Sequence, residues 1–313
     1  MKKIIIQMAA LVLLVASAGC TLLKVSVGDE LQPLTERVIA GSGRDKVLLI
    51  DLSGFISSQE SDPLFGSKKK PGLPARVREE LDRARKDRSV KALVLRINSP
   101  GGSVTASDVL YHEIKAFKRD TGVKVLAHIM DLGTSGAYYA ALAADKITAQ
   151  PTSVTGSIGV IMFRLDATGL MQKIGLQTVE ISSGERKGMG SPFRALLPEE
   201  KALFQNLIDS LQDRFVNIVV EERSLAPEAV KKLADGRVFT SREAQVAGLV
   251  DGIGYIDDAV EQAKKLANLE RASVVTYFRP GEYRDNVYSM NLINIDMNAL
   301  AEAGPHFLYV WWP

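Results

Sequence analysis

Apolar runs and amphipathic segments alternate along most of the chain, and this alternation predicts its secondary structure. An apolar run at 46–52 predicts a buried strand, and the charged segment at 74–88 that follows it predicts a helix. The same order recurs in strands predicted at 91–97 and 123–130, which enclose a helix predicted at 103–119. A repeated strand, helix, strand order is typical of a largely parallel sheet with right-handed βαβ crossovers. The pattern therefore predicts an α/β fold.

Two later segments add to this picture. Apolar spacing at 198–223 predicts a long amphipathic helix, for which core packing is the default role and partner contact the alternative. The chain then ends in an aromatic cluster at 307–313. Exposed aromatic residues at a chain end usually pack against another surface. The protein's own surface, a neighbouring subunit or its groove, and the membrane interface all remain open for this cluster.

The N-terminus has the features of an export signal. Lys2 and Lys3 precede a mostly apolar run at 4–15, and small residues lead up to Cys20. The run is shorter than the roughly 20 residues that a spanning helix needs. The residues before Cys20 resemble the lipobox of bacterial lipoproteins, in which the cysteine is diacylated and becomes the first residue of the mature chain.

The N-terminus thus predicts a signal peptide at 1–19, lipidation of Cys20 and a membrane tether at 20–45. The exported chain would be anchored to a bacterial membrane and face the periplasm or the cell exterior. An ordinary signal peptide and an uncleaved N-terminal anchor are the alternatives.

Charge and cysteine content exclude several classes of function. Cys20 is the only cysteine, so the chain can form neither an intramolecular disulfide nor a cysteine-based zinc site. Removal of residues 1–19 takes away Lys2 and Lys3 and leaves 37 basic against 37 acidic side chains. A neutral mature chain gives no indication of nucleic-acid binding.

Two loops lie where ligands bind in open parallel sheets, outside the carboxyl ends of the strands. The loop at 98–103 contains paired glycines, whose exposed N–H groups could stabilise an oxyanion. The loop at 133–136 places Ser135 at the start of a short helix predicted at 137–144, where unpaired N–H groups favour negative charge. A serine beside a helix start is usually only an N-cap, so its position leaves both roles open.

Histidine is a poor candidate for the base of a nucleophilic serine here. The chain has three histidines, and none stands in a convincing triad: His112, His128 and His306. The nucleophile elbow Gly-x-Ser-x-Gly would need a glycine where Ala137 stands, which makes that interpretation doubtful. Lys187, in a glycine-rich segment at 184–192, is the alternative base, unless it is simply one more solvated cation.

Several motifs in order resemble the S49 family of serine peptidases, which includes the bacterial signal peptide peptidases. The similarity extends from about Lys46 to about Ala263. The motifs that carry it are Asn-Ser-Pro-Gly-Gly at 98–102, Ser-Gly-x-Tyr-Tyr at 135–139, Ala-Asp-Lys-Ile at 144–147, Thr-Gly-Ser-Ile-Gly-Val at 155–160, Ser-Gly-x-x-Lys at 183–187 and Asp-Gly-Arg-Val-Phe at 235–239. The resemblance implies a fold similar to the Clp protease and crotonase superfamily. It also implies a catalytic domain at 46–268, followed by a C-terminal extension at 269–313.

The resemblance also implies a role for individual residues. Ser135 matches the nucleophile and Lys187 the general base, which together form a Ser-Lys dyad. Gly102 matches the oxyanion-hole glycine, with the Gly136 N–H as a second donor, and Ser157 matches a serine that orients the lysine.

The sequence departs from the family pattern beside the nucleophile. Thr134 and Ala137 stand where the family commonly has alanine and glycine. The added bulk bears on substrate preference more than on the chemistry.

The implied function is that of a membrane-tethered serine endopeptidase that hydrolyses cleaved signal peptides and other apolar peptides. A lysine accepts a proton only when neutral, and an ordinary lysine pKa of about 10.4 requires burial or a nearby positive potential to lower it. No metal or cofactor is needed. The resemblance further implies a ring or dome-like homo-oligomer, and it leaves open whether the serine and lysine of one site come from the same subunit or from neighbouring subunits.

Two other functions are weighed against this one. The first is a catalytically inactive lipoprotein scaffold that uses the same oligomer. The second is a crotonase-like enzyme acting on acyl-CoA, which export would separate from cytosolic CoA.

Overall fold

The computed structural model describes residues 32–60, 71–279, 286–289 and 306–311. The chain divides into two units, Met1–Pro33 and Leu34–Pro313, and the described helices and strands belong to the second. The predicted signal peptide at 1–19 and Cys20 lie outside the described residues. None of the helices within the described ranges combines the length and the apolar character needed to cross a bilayer.

Twelve strands are present in the described ranges. In chain order they are β1 (Thr35–Gly41), β2 (Lys46–Ser53), β3 (Val90–Ser99), β4 (Gly101–Ser103), β5 (Lys124–Thr134), β6 (Lys146–Ala149), β7 (Val154–Gly156), β8 (Ile161–Phe163), β9 (Val238–Thr240), β10 (Gly252–Ile253), β11 (Ser273–Phe278) and β12 (His306–Val310). The helices in the same ranges are α1 (Leu73–Arg85), α2 (Val104–Thr121), α3 (Gly136–Ala141), α4 (Thr168–Lys173), α5 (Pro198–Arg223), α6 (Pro227–Leu233), α7 (Ser241–Val246) and α8 (Ile256–Leu266).

Nine of these strands form one largely parallel sheet. Seven of them follow one another in the order β1-β11-β2-β3-β5-β6-β10, and β7 and β9 branch from this row. Strands β11, β2, β3, β5, β6 and β10 pair in parallel, β1 is an antiparallel edge, and β7 joins β5 and carries β9. The remaining strands form a small antiparallel sheet in the order β4-β12-β8. The predicted α/β fold with a largely parallel sheet, of the Clp protease and crotonase type, is confirmed.

The large sheet is buried on both faces. Alternate residues of β2 enter different apolar clusters: Leu48 and Ile50 face one cluster, and Val47 and Leu49 face the other. Helices α1, α2 and α3 cover the first face, and α8 covers the second. Burial on both faces explains why these strands appear in the sequence as continuous apolar runs without polar alternation.

The helix predicted at 103–119 after the glycine loop extends over Val104–Thr121 and is capped at both ends. Ser103 is the N-cap of α2, and its hydroxyl accepts a hydrogen bond from the Ala106 N–H at 3.3 Å. At the other end, Gly122 takes the left-handed conformation with φ 69°, which favours glycine. These caps fix the length of α2 and therefore the position of the loop before it.

The sheet extends past both boundaries that were predicted for the catalytic domain. Strand β1 lies within the segment predicted as a tether at 20–45, and β11 lies within the predicted extension at 269–313. The side chains of β1 are mostly exposed because it is an edge strand, so its sequence lacks a clear apolar alternation. Strand β11 is buried between β1 and β2, a position that only the tertiary pairing shows.

Candidate active site

Three parallel strands end side by side and bring the candidate residues together. In β3 and β5, Ser99 pairs with Gly133, and in β5 and β7, Thr134 pairs with Gly156. The glycine loop at 100–102, Ser135 and Ser157 each follow one of these strand ends. The carboxyl edge of the sheet therefore forms the site, as expected for an open parallel sheet.

Ser135 occupies a strained turn between strand β5 and helix α3. Its backbone angles are φ 53° and ψ −116°, and its N–H donates to the Gly156 carbonyl at 2.7 Å. A non-glycine residue held in such a region costs about 1–3 kcal/mol and is found mainly at functional sites. This sharp strand-to-helix turn is the geometry of a nucleophile elbow. The doubt raised by Ala137 is therefore not supported, because a buried alanine fits inside α3.

The Ser135 side chain has no structural partner in the described part of the chain. The residue is 1% exposed, and its Oγ is buried without a hydrogen-bond partner there. The hydroxyl also makes no capping bond to α3. The alternative role of a simple N-cap therefore does not account for this serine.

The glycine loop packs directly against the start of α3. Gly101 has φ 99°, and a Cβ placed on it would lie 2.8 Å from the Gly136 backbone nitrogen. A Cβ on Gly136 would collide with the Ser107 Oγ, so that position also requires glycine. The missing side chains allow the two backbone segments to approach, as an oxyanion hole built from main-chain N–H groups requires.

The Gly102 N–H points away from Ile56 and toward strand β12. Within β4, the Gly101 carbonyl accepts from the Ile56 N–H at 2.8 Å, and the Ser103 N–H donates to the Ile56 carbonyl at 2.9 Å. Because backbone groups alternate along a strand, the N–H and carbonyl of Gly102 face the opposite side. Gly102 therefore adjoins the corner in which Gly101 approaches the Gly136 backbone nitrogen, next to Ser135 in the chain.

Ser157 lies in the same corner and also has an unusual backbone. Its φ is 50°, it is 6% exposed, and its N–H donates to the Arg237 carbonyl at 2.8 Å. It directly follows Gly156, whose carbonyl accepts from the Ser135 N–H. Ser157, the residue predicted to orient the lysine, is therefore the chain neighbour of Gly156, which bonds directly to Ser135.

Among the predicted site residues that the structure describes, Lys187 lies apart from the others. It is exposed in a series of turns after residue 182, where its N–H donates to the Gly184 carbonyl at 3.0 Å. Since Ser135 Oγ has no hydrogen-bond partner among the described residues, the Lys187 ammonium does not reach it within one chain. A single subunit therefore assembles the nucleophile and the candidate oxyanion donors without the predicted base.

The histidines do not supply that base in the described chain. His128 is buried in β5, its Nδ1 lies 2.8 Å from Thr148 Oγ1, and burial lowers its pKa to about 4. His112 is exposed on α2, and His306 begins β12. Ser135 Oγ forms no hydrogen bond with any of these three histidines.

An aromatic cluster beside the site was missed by the sequence interpretation. Tyr139 of α3 stacks on Tyr309 of β12 with ring centroids 5.2 Å apart, and Phe215 of α5 lies 4.9 Å from Tyr309. The aromatic residues at the C-terminus were the sequence feature that could have indicated this cluster. Of the three locations left open for them, residues 307–311 lie on the protein's own surface. Trp312 and Pro313 lie outside the described residues.

The chain is similar to known proteins over a region that contains Ser135, Ser157 and Lys187. A family model described as peptidase family S49 matches residues 117–270. A protein of Enterococcus faecium, assigned provisionally as the signal peptide peptidase SppA, is 34% identical over 245 residues, which cover 78% of this chain and 70% of the relative. A protein of Methanocaldococcus jannaschii, assigned provisionally as a protease, is 34% identical over 281 residues, 88% of this chain and 87% of the relative. The chloroplastic serine protease SPPA of Arabidopsis thaliana is 32% identical over 254 residues, 79% of this chain and 36% of the relative. The chain therefore belongs to peptidase family S49 and is a serine peptidase.

Proposed function

We propose that this chain is a membrane-tethered endopeptidase in which Ser135 is the nucleophile and Lys187 of a neighbouring subunit is the general base. The observation that carries the proposal is the conformation of Ser135. Its backbone is held in a strained elbow, and its buried hydroxyl is without a bond in the described chain, directly beside the glycine loop. Such strain persists only where the surrounding structure enforces it, which is typical of a functional residue. Membership of a peptidase family favours this function over the acyl-CoA alternative.

Each site residue has a defined task in hydrolysis. Ser135 Oγ attacks the peptide carbonyl carbon while Lys187, in its neutral form, takes the hydroxyl proton. The N–H groups of Gly102 and Gly136 stabilise the oxyanion that forms. Lys187 then gives the proton to the leaving amine, and a water molecule hydrolyses the acyl ester and restores the serine.

The assignment of Lys187 to a second subunit rests on exposure. A lysine base must be neutral, and removal from water is one way to disfavour its charged form. In one chain the segment around Lys187 is open to water, although it exposes many large apolar side chains that a second copy could cover. These side chains are Ile161, Phe163, Leu165, Leu170, Ile174, Leu176, Val179, Ile181, Phe193 and Leu197.

The dyad is tested by single substitutions. We expect Ser135→Ala and Lys187→Ala each to lower peptide hydrolysis by about 10³-fold or more, because each removes a group that acts in the transition state. Lys173→Ala is the matched control, since it removes an exposed lysine of the same segment. Steady-state cleavage of an apolar fluorogenic peptide measures the effect, and full activity in either dyad variant would disprove the assignment.

Mixed oligomers test whether the dyad is shared. Equal amounts of Ser135→Ala and Lys187→Ala chains, mixed at random, leave roughly a quarter of the sites with both groups intact if each site uses two neighbouring subunits. We therefore expect about that fraction of wild-type activity after co-refolding. If native mass spectrometry shows mixed oligomers and activity stays at the level of the single variants, the dyad is not shared between subunits.

The substrate and the anchor are part of the same proposal. The name given to the Enterococcus faecium relative points to signal peptides, and the predicted lipidation of Cys20 would keep the enzyme at the membrane where such peptides are released. We expect Cys20→Ser to move the protein from the membrane fraction to the soluble fraction and to abolish labelling with a palmitate analogue. Unchanged labelling would exclude Cys20 as the anchor.

A further inference from the structure

An open strand edge lies beside the candidate active site. Strand β9 pairs antiparallel with β7 and, in the part of the chain that the structure describes, with no strand on its other side. The Ser157 N–H donates to the carbonyl of Arg237, the residue just before β9, at 2.8 Å. An exposed strand edge is a template for pairing with another extended chain. The outer edge of β9 can therefore accept an added strand next to this site.

The backbone of Val238 faces this open edge. In an antiparallel pair, residues bonded to the partner strand alternate with residues whose N–H and carbonyl face away from it. The bond from Ser157 assigns Arg237 to the first kind and therefore assigns Val238 to the second. The Thr240 N–H, next on the same edge, already donates to the Glu243 carboxylate at 2.9 Å. Val238 thus offers one donor and one acceptor to an incoming chain.

A groove of about 520 Å³ lies between β9 and helix α7. Its lining includes Val238 and Phe239 of β9, and Val246 and Ala247 at the end of α7. The Val246 side chain is 83% exposed. An apolar side chain left in water gains free energy when another apolar group covers it. The groove is therefore suited to a chain that carries apolar side chains.

The charges around the groove are balanced. Arg237 and Arg242 belong to its lining, and the Arg237 Nε donates to the neighbouring Asp235 at 2.8 Å. Glu243 also belongs to the lining and accepts from the Thr240 hydroxyl at 2.8 Å. Two basic and two acidic side chains leave no net charge that would attract an ionic ligand. Apolar contact and backbone hydrogen bonds are therefore the interactions through which the groove can select an occupant.

The distance from Ser135 identifies that occupant. Strands β5, β7 and β9 are successive neighbours, so a chain added outside β9 lies three strand spacings, about 14 Å, from β5. An extended peptide covers this distance in about four residues. Ser157 follows β7, the strand between β5 and β9. A substrate that leaves Ser135 on this side therefore meets the open edge.

We propose that the outer edge of β9 and the groove beside α7 form a remote binding site for the substrate, which holds an extended apolar segment by strand addition. The segment lies about four residues from the scissile bond. The proposal rests on the proposed peptidase function and narrows its substrates to peptides that continue as an apolar chain on one side of the cleavage point. Binding so far from the reacting atoms is the same in the ground state and the transition state, so it lowers KM and leaves kcat unchanged.

Substrate length tests the proposal. Three fluorogenic peptides share one scissile bond: a short peptide that cannot reach β9, and two peptides extended by apolar residues toward either end. We expect one extended peptide to have a KM about tenfold lower than the short peptide, at similar kcat. Val246→Glu should remove this advantage, because it places a charge in the apolar lining, and should leave hydrolysis of the short peptide unchanged. Gln245→Glu is the matched control, since it adds the same charge to an exposed residue of α7 outside the lining.

Backbone methylation of the substrate tests strand addition separately from apolar contact. An N-methyl group removes one donor of the peptide backbone, and an added strand uses the donors of alternate residues. We expect N-methyl groups to raise KM at alternate positions of the extension, about four residues from the scissile bond. The same peptides should show no such alternation with Val246→Glu.

The outcomes separate this proposal from the peptidase function. Equal KM values for the three peptides would overturn the proposal, as would an extended peptide whose KM is the same with wild-type protein and Val246→Glu. A smaller mass of Val246→Glu in light scattering would also overturn it and assign the groove to a second copy of the chain. If the wild-type protein hydrolyses none of the peptides, the proposed peptidase function fails. Binding of a labelled extended peptide to Ser135→Ala, weakened by Val246→Glu and not by Gln245→Glu, would then still support the remote site.

Discussion

At the residue scale, Ser135 shows a conflict between stability and its proposed role. Its angles of φ 53° and ψ −116° are the mirror image of an extended conformation, a region that glycine enters readily and other residues resist. The bond from its N–H to the Gly156 carbonyl and the packing of α3 hold it there. Its hydroxyl contributes no bond to stability within the described chain.

This conflict predicts that removal of the whole side chain stabilises the protein. Compared with Ser135→Ala, which keeps the Cβ and the strain, we expect Ser135→Gly to raise the free energy of unfolding by about 1 kcal/mol. Both variants should be inactive. Denaturant unfolding measures the difference, and a glycine variant less stable than the alanine variant would show that the turn is not strained.

At the element scale, the length of β5 positions the nucleophile. The strand pairs with β6 as far as Ile129 and then with β7 from Leu132 onward, so it passes from one neighbour to the next. The second half therefore projects Ser135 beyond the end of β6. In the first half, His128 pairs with Thr148 across the junction and is buried.

The burial of His128 predicts an acid-sensitive junction between β5 and β6. Burial lowers the pKa of His128 from the ordinary 6.5 to about 4, and the charge of Asp258 raises it by a smaller amount. Between these two pH values the unfolded chain therefore binds a proton that the folded chain does not bind. Stability is therefore complete above pH 6.5 and falls as the pH drops toward 4, by up to about 3 kcal/mol.

Denaturant unfolding between pH 4 and 7 measures this dependence. We expect His128→Gln to flatten the pH dependence in that window, whereas His112→Gln, at an exposed histidine on α2, should leave it unchanged. A slope that persists in His128→Gln would assign the effect to other groups.

At the scale of the whole molecule, one exposed segment is unlike the rest of the surface. Residues 161–197 contain most of the large apolar side chains exposed by the described residues, including Val179 at 85% and Ile181 at 95% exposure. Lys187 lies in the same segment. Such a concentration of exposed apolar side chains in one segment favours an interaction site there.

If this segment is the proposed subunit contact, a charge placed on it should separate the subunits and lower activity together. We expect Ile181→Glu to shift the protein to smaller species in light scattering and to reduce hydrolysis about tenfold or more, because a buried unpaired charge is costly. Val246→Glu is the control, since Val246 is 83% exposed in another part of the chain. An Ile181→Glu protein of unchanged mass would place the contact elsewhere.

Local sequence patterns were enough to predict the central strands of the sheet and the candidate chemistry. Strands buried on both faces produce continuous apolar runs, and Ser103 marks the start of α2, so β2, β3 and the beginning of α2 were predictable from local patterns. Residues 102, 135, 136 and 157 also stand in sequence motifs of the S49 family. These residues lie close together because parallel strands end at the same edge of the sheet.

The conformation of Ser135, the pairing of β1 and β11, and the place of the aromatic tail depend on long-range contacts that local patterns do not show. The elbow results from the passage of β5 between two neighbours, which leaves no periodic signal in the sequence. Edge strand β1 shows no strong pattern because solvent covers most of its side chains. Tyr309 is buried because Tyr139 and Phe215, distant along the chain, form its pocket. Local sequence encodes which side chains avoid water, whereas the partners that cover them are set by contacts between residues far apart in the chain.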